Sequence, residues 1–264
     1  MSDFLNYVKN RDIKLYYEFV SQDEFGEENK DNKKELVVLV GPPAVGKSTY
    51  IARKFDPNDV SVVSRDDIVD EVAKGMNLTY DDMFVLPPSD AVPNTSVGGM
   101  EKYGMVKKAP LWMNWTKVVF QKIYDANETI NSQLQNKFQE AVDSGKNVVV
   151  DMTNMTAKIR QNALKYAKDK DFFRRAVVFT FAESDLPEIF NRMRKRSAEI
   201  AAAGGSKTIG EDVIHRMIKS FEQVSPSEGF DKIETVSFNS WNLKNISLMI
   251  IREVFIWKLL QKRT

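Results

Sequence analysis

Short aliphatic runs and longer amphipathic stretches take turns along the chain. Leu36 to Val40 carry no polar side chain, and further runs stand at Val60 to Val63, Val148 to Val150 and Ala176 to Phe181. β-Branched runs of this length suit strands buried on both faces of a parallel sheet. Helical patterns lie between them, notably Ser48 to Lys54, Asn131 to Ser144 and Ala157 to Lys168. Strands alternating with helices predict an α/β fold with a parallel sheet flanked by helices. From Met76 to Asn114 the pattern breaks down around "LPPSDAVPNTSVGGMEKYG", which reads as a loop-rich insertion. The expected organisation is an N-terminal extension over 1–34 ending in a charged linker, one domain over 35–236 with the insertion at about 76–115, and a C-terminal segment over 237–264. The last contains "ISLMIIREVFIWKLL", which carries Arg252, Glu253 and Lys258. It is too short to span a bilayer comfortably and is expected to be a helix packed on the domain, with a membrane-surface or partner-binding helix as the alternative.

Composition narrows this picture only a little. The 264 residues are 42% hydrophobic, enough for a sizeable core, and the formal net charge is +1. No global field attracts a polyanion, so a nucleic-acid partner would have to be met by local clustering, and nothing suggests a membrane. There is no cysteine. That excludes a disulfide frame, a thiol nucleophile and cysteine zinc sites, and it fits a cytoplasmic protein. The N-terminal residues lack the apolar run of a secretory signal.

The strongest chemical signal comes directly after the first aliphatic run. Gly41-Pro42-Pro43-Ala44-Val45-Gly46-Lys47-Ser48 matches G-x-x-x-x-G-K-[ST] in full, with a strand pattern before it and a helix pattern after it. Glycines let successive backbone N–H groups converge on one anion, and the adjoining helix adds its positive end. Lys47 is expected to neutralise the β- and γ-phosphates of ATP, Ser48 to hold Mg²⁺, and Thr49 to complete the cradle.

Three further pieces lie after strand patterns. Ser64-Arg65-Asp66-Asp67 comes after the second. Strand ends in α/β sheets face the ligand crevice, and transfer of phosphate to a hydroxyl needs a group to orient it and accept its proton. Asp66 suits that task and Asp67 suits a helix cap or metal, although both aspartates suit a cap equally well. Asp151 ends the third run in "NVVVDMTNM", where an aspartate serves a Mg²⁺ shell or caps the next helix, with Thr153 and Asn154 at that helix's start. Arg192, Arg194, Lys195 and Arg196 crowd one segment ahead of a Gly-Gly pair. They read as a mobile arginine lid or as a solvated helix face. His215, the only histidine, has no ligand-like spacing to a partner and is read as structural.

Taken together, "GPPAVGKST", "SRDDI", "VVVDMTNMT" with Arg160 after it, and "NRMRKR" followed by "SKTIGEDVIHRMIKSFE" resemble the kinase domain of bacteriophage polynucleotide 5′-kinase and the small P-loop kinases around it. The resemblance runs from about Leu36 to Val236, apart from the insertion. It implies that Asp66 activates a 5′-hydroxyl while Lys47, Ser48 and Arg196 handle the donor phosphates, with Arg192 and Arg196 as the pair of lid arginines four apart. It also implies acceptor-side roles for Arg65, Asp67, Thr153 and Asn154. A virus-encoded kinase acting on nucleic acid, with ATP and Mg²⁺, is therefore the expectation.

The sequence departs from that family in several places. The arginine that grips the acceptor's phosphate in the phage enzyme is replaced by Val69, and D-T-N has become Asp151-Met152-Thr153-Asn154. No D-x-D-x-T phosphatase signature is present. The insertion holds Tyr103, Lys107, Lys108, Trp112 and Trp115; these suit stacking of bases beside neutralised phosphates as well as they suit packing. A kinase of a hydroxymethylated base in DNA, a small-molecule kinase and a non-catalytic nucleotide switch stand as alternatives.

Overall fold

We describe the protein from a computed structural model that covers residues 25–84 and 111–238, with side chains from 125 onward in the second stretch. Most of the expected N-terminal extension and C-terminal segment lies outside the described residues, as do Tyr103, Lys107, Lys108 and the side chains of Trp112 and Trp115. Five strands form one sheet: β1 (Glu35–Val40), β2 (Val60–Ser64), β3 (Asn147–Asp151), β4 (Phe173–Thr180) and β5 (Lys232–Ser237), in the order β2-β3-β1-β4-β5. β1 pairs parallel with β3 (Val38 opposite Val150) and with β4 (Val40 opposite Val178), and β4 pairs parallel with β5. Leu36 to Val40 and Val148 to Val150 are wholly buried, as a centre covered on both faces requires. The expected α/β parallel sheet is the observed one.

β5 had no expectation, and its composition explains why. Lys232 and Glu234 interrupt the apolar pattern, and both are paired: Lys232 with Glu28, and Glu234 with Arg175 of β4 at 3.2 Å. Arg175 also meets Glu35 of β1, so charges bridge three neighbouring strands.

Six helices are described: α1 (Lys47–Lys54), α2 (Arg65–Gly75), α3 (Leu111–Asp143), α4 (Ala157–Lys165), α5 (Leu186–Ala202) and α6 (Glu211–Lys219). Two differ from expectation. α3 begins at Leu111 rather than Asn131, so helical backbone already occupies the end of the expected insertion. α4 begins at Ala157, as the pattern over Ala157 to Lys168 predicts, but ends at Lys165; it does not reach back to Thr153 or Asn154, because Asn154 takes a left-handed conformation (φ 49°) that a right-handed helix cannot include. Its first turn is held by Glu222, whose carboxylate accepts from the Ala157 N–H at 2.7 Å. Among the described residues no helix is long and apolar enough to cross a membrane.

The chain divides into two compact units. The first comprises Met1–Val63, Ala141–Arg194 and Ile209–Thr264; the second comprises Ser64–Glu140 and Lys195–Thr208. The first is built on the sheet. The second has its own apolar core, in which Ile68, Val69, Val72 and Ala73 form one face of α2 and pack with Tyr80, Met83, Ala126 and Ile130. That spacing is the stripe a half-buried helix needs. Residues Met76 and Leu78 pack on the same core, and a 3₁₀ turn stands at Asp81–Phe84.

Candidate active site

In the first unit, β1 runs straight into the loop Gly41–Gly46, and α1 starts at Lys47. Ala44 and Gly46 both take left-handed backbone conformations, at φ 65° and 108°. Alternation of handedness in such a loop turns successive N–H groups inward, which is the geometry of an anion cradle. A Cβ at Gly41 would stand 3.1 Å from the Phe179 Cβ and 3.2 Å from Val45, so a side chain at the start of the loop would have to displace these neighbours by a few tenths of an ångström. The Lys47 ammonium curls back over the loop and donates to the carbonyls of Gly41 (2.9 Å) and Pro42 (2.8 Å). Pro43, Ala44 and Val45 complete the turn, and Ser48 and Thr49 lie in the first turn of α1.

The adjacent strand continues the cradle. Asp151 ends β3, and the next loop is bonded to the phosphate loop, the Gly41 N–H donating to the Thr153 carbonyl at 3.0 Å. Asn154 was expected on the substrate; its side chain is instead wholly buried, donating to the carbonyls of Leu39 (2.7 Å) and Val150 (3.3 Å). It ties the ends of β1 and β3 together. Its own carbonyl accepts from Arg160, itself fully buried.

A triphosphate with Mg²⁺ fits these residues. Among the described residues no group of three or more acidic or histidine side chains could hold a metal alone. Mg²⁺ in such sites keeps water and phosphate oxygens and takes only one or two protein ligands, and Ser48 and Asp151 are the residues that would supply them.

The remaining acceptor-side candidates, Arg65, Asp66 and Asp67, belong to the second unit. The cap of α2 is Ser64, whose hydroxyl accepts from the Asp67 N–H at 3.3 Å, so Asp67 is not the capping residue. Asp66 and Asp67 stand exposed in the first turn, where carboxylates favour the helix's positive end. Arg65 opens the helix, half-buried. Val69 is buried in the core of this unit, so its position offers nothing to an acceptor.

Both oxygens of Asp66 are engaged by residues that sequence reasoning did not single out. The Tyr80 hydroxyl donates to Oδ1 at 3.1 Å, and the Lys207 ammonium stands 2.9 Å from Oδ2. Lys207 also lies 4.2 Å from the centre of the Tyr80 ring and 4.0 Å from Asp70. Burial, and then the Asp66 charge, push the Tyr80 hydroxyl's pKa upward, which keeps it a donor. The segment carrying Lys207 is pinned by Asp81, which accepts from the Ser206 hydroxyl and, at 2.7 Å, from the Thr208 N–H. Burial raises the Asp81 pKa, but these bonds outweigh it and hold the carboxyl below its ordinary value. Ser197 on α5 adds a bond to the Lys207 carbonyl at 2.8 Å.

The basic cluster of α5 resolves into different situations. Arg192 pairs with Glu188 at 3.1 Å and lies 4.4 Å over the Phe238 ring. Arg194 pairs with Glu211 at 2.7 Å, and Lys195 lies 4.0 Å from Glu199. Arg196 is exposed and makes no ion pair among the described residues.

The sheet and cradle define a P-loop nucleotide-binding domain of the α/β class. Residues 36–224 match the AAA domain family, and the chain belongs to it. No curated protein matches the chain. Among solved structures, a protein of the PezAT chromosomal toxin-antitoxin system of Streptococcus pneumoniae is 10% identical, with 86% of this chain and 75% of that one covered and a TM-score of 0.46. A Chloroflexus aurantiacus protein described provisionally as a kinase is 13% identical, with 84% and 98% covered and a TM-score of 0.47. A gluconokinase from Sinorhizobium meliloti is 12% identical, with 77% and 82% covered and a TM-score of 0.31. At these scores the likeness decides no substrate.

Proposed function

We propose that this protein is an ATP-dependent kinase that transfers the γ-phosphate to a hydroxyl of a nucleic acid, the 5′-hydroxyl end of DNA or RNA in first place. The observation that supports it most is Asp66, an exposed carboxylate directly after the second strand of a P-loop domain, held from both sides by Tyr80 and Lys207. A nucleotide switch has no use for such a carboxylate; a hydroxyl acceptor does. Mg·ATP supplies the phosphoryl group. Lys47 and the loop N–H groups bind the phosphates, Ser48 and Asp151 hold the metal, Asp66 orients the acceptor hydroxyl and takes its proton, and Arg196 offsets charge on the moving group. The nucleic-acid acceptor rests on the resemblance of the four sequence pieces to phage polynucleotide kinase.

The experiment is transfer of labelled γ-phosphate to 5′-hydroxyl DNA and RNA oligonucleotides, hydroxymethyl-base DNA, nucleosides and sugars. Label on the oligonucleotide ends, weakening as salt rises through counterion release, is the expected result. Label only on modified-base DNA or only on a small molecule keeps the kinase and overturns the acceptor. Asp66→Asn should bind ATP as the parent does and lose transfer by about 10²-fold or more; transfer at the parent rate would remove Asp66 from the mechanism.

A further inference from the structure

We propose that Lys207 and Tyr80 are positioning residues for the acceptor-side carboxylate Asp66, and that the turn carrying Lys207 exists to deliver this cation. The inference rests on the kinase reading but concerns residues to which neither motif nor resemblance gives a task.

Lys207 is only 7% exposed, whereas Asp66 is 51% exposed. A lysine side chain rarely gives up its hydration unless a specific partner replaces the water. Here the partners are Asp66 at 2.9 Å, Asp70 at 4.0 Å and the Tyr80 ring face at 4.2 Å. An ordinary surface ion pair has two exposed, mobile ends and contributes little. This pair has one end fixed. Asp81 holds the residues on either side of Lys207, through the Ser206 hydroxyl and the Thr208 N–H, and Ser197 holds its carbonyl. A lysine otherwise free to move on four methylenes thus becomes a fixed charge beside a carboxylate that remains open to solvent.

Tyr80 completes the arrangement from the opposite oxygen. With Oδ1 held by a hydroxyl and Oδ2 by an ammonium, the carboxylate plane of Asp66 has one orientation. Each carboxylate oxygen has a second lone pair, so a substrate hydroxyl can still be accepted. Phosphoryl transfer asks mainly for orientation of the nucleophile, so a carboxylate restrained by a cation still serves it. Misplacement by about 1 Å can cost on the order of 10²-fold in rate.

The test compares the full-length parent, Lys207→Met, Lys207→Arg, Tyr80→Phe and Asp66→Asn in steady-state transfer to whichever acceptor the parent uses. Thermal melting and ATP binding are measured alongside. Lys207→Met is expected to lower kcat by about 10²-fold with KM for ATP within about twofold of the parent. Lys207→Arg should recover at least tenfold of that loss, and Tyr80→Phe, which keeps the ring and removes only the donor, should lower kcat by several-fold. Parental kcat in Lys207→Met while Asp66→Asn is inactive would overturn the positioning role and leave the kinase reading standing. Loss of ATP binding and of the folded state in Lys207→Met, with parental kcat in Tyr80→Phe, would also overturn it, in favour of a structural lysine. No transfer by the parent to any acceptor would overturn the kinase reading itself, and this inference with it.

Discussion

Arg160 and Glu228 meet as a two-pronged pair with almost no access to water: Nε and one terminal nitrogen of the guanidinium donate to the two carboxylate oxygens, each at 2.8 Å. The same arginine donates to the carbonyls of Asn154 at 3.1 Å and Gln223 at 3.2 Å. It therefore fastens the loop after Asp151 to the segment that leads into β5. Removal of one partner leaves a buried charge unpaired, which costs about 3–5 kcal/mol. Glu228→Gln should lower the melting temperature sharply and weaken ATP binding through unfolding. A double Arg160→Leu, Glu228→Leu protein should recover part of that loss, as measured by denaturant unfolding.

The phosphate loop makes a sharper distinction. A Cβ at Gly46 meets no atom within 4 Å, yet the residue sits at φ 108°. Gly46→Ala therefore fails on backbone conformation and not on space, at a cost of about 1–2 kcal/mol. Titration calorimetry should show ATP affinity reduced by about tenfold. Ala44→Gly, at the neighbouring left-handed position, should bind ATP at least as well as the parent.

Arg192 and Arg196 lie one helical turn apart but should respond differently. Arg192→Ala loses the Glu188 pair and the Phe238 stack, so a stability loss of about 1 kcal/mol is expected in chemical denaturation. Arg196→Ala removes no ion pair among the described residues and should leave stability within about 0.5 kcal/mol. If Arg196 stabilises the moving phosphoryl group, its loss should lower kcat by about 10²-fold or more. Equal kinetic effects with equal melting temperatures would reject this division of labour.

His215 provides a pH test. Burial lowers its pKa from the ordinary 6.5, against the opposing pull of Glu211 and Asp212, and its ring lies 5.3 Å from that of Phe190. Between the folded and the ordinary value the unfolded chain binds more protons, so this contribution to stability is complete above about pH 6.5 and is lost as pH falls through the folded value. His215→Phe should flatten the acid side of a stability–pH curve below about pH 6.5. An unchanged slope would assign the acid sensitivity to other groups.

The sheet centre and the cradle were legible in the sequence because each is written in one contiguous stretch: Leu36 to Val40 as an aliphatic run, Gly41 to Ser48 as a fixed spacing. β5 was not, since Lys232 and Glu234 are satisfied by Glu28 and Arg175, partners that no local pattern reveals. The early start of α3 was hidden by the Pro- and Gly-rich residues before it, although Pro110 immediately ahead of Leu111 suits a helix start. Asn154 read as a substrate residue on a motif resemblance alone, whereas its burial and its bonds to Leu39 and Val150 give it the strand ends. Lys207 was invisible for the opposite reason: its partners Asp66 and Tyr80 lie far away in the chain, and a lone lysine in "SKT" carries no signal.

The second unit is assembled from two separate lengths of chain, with Asp66 and Tyr80 on the first and Lys207 on the second. No single cut-and-paste can move it. If Asp66 and Lys207 work as proposed, moving their site between proteins by recombination would need a crossover on either side of each length, or it would deliver a carboxylate without its cation. Evolution by point substitution meets no such barrier, and changes of substrate in such a chain should therefore accumulate residue by residue, in correlated pairs drawn from both lengths.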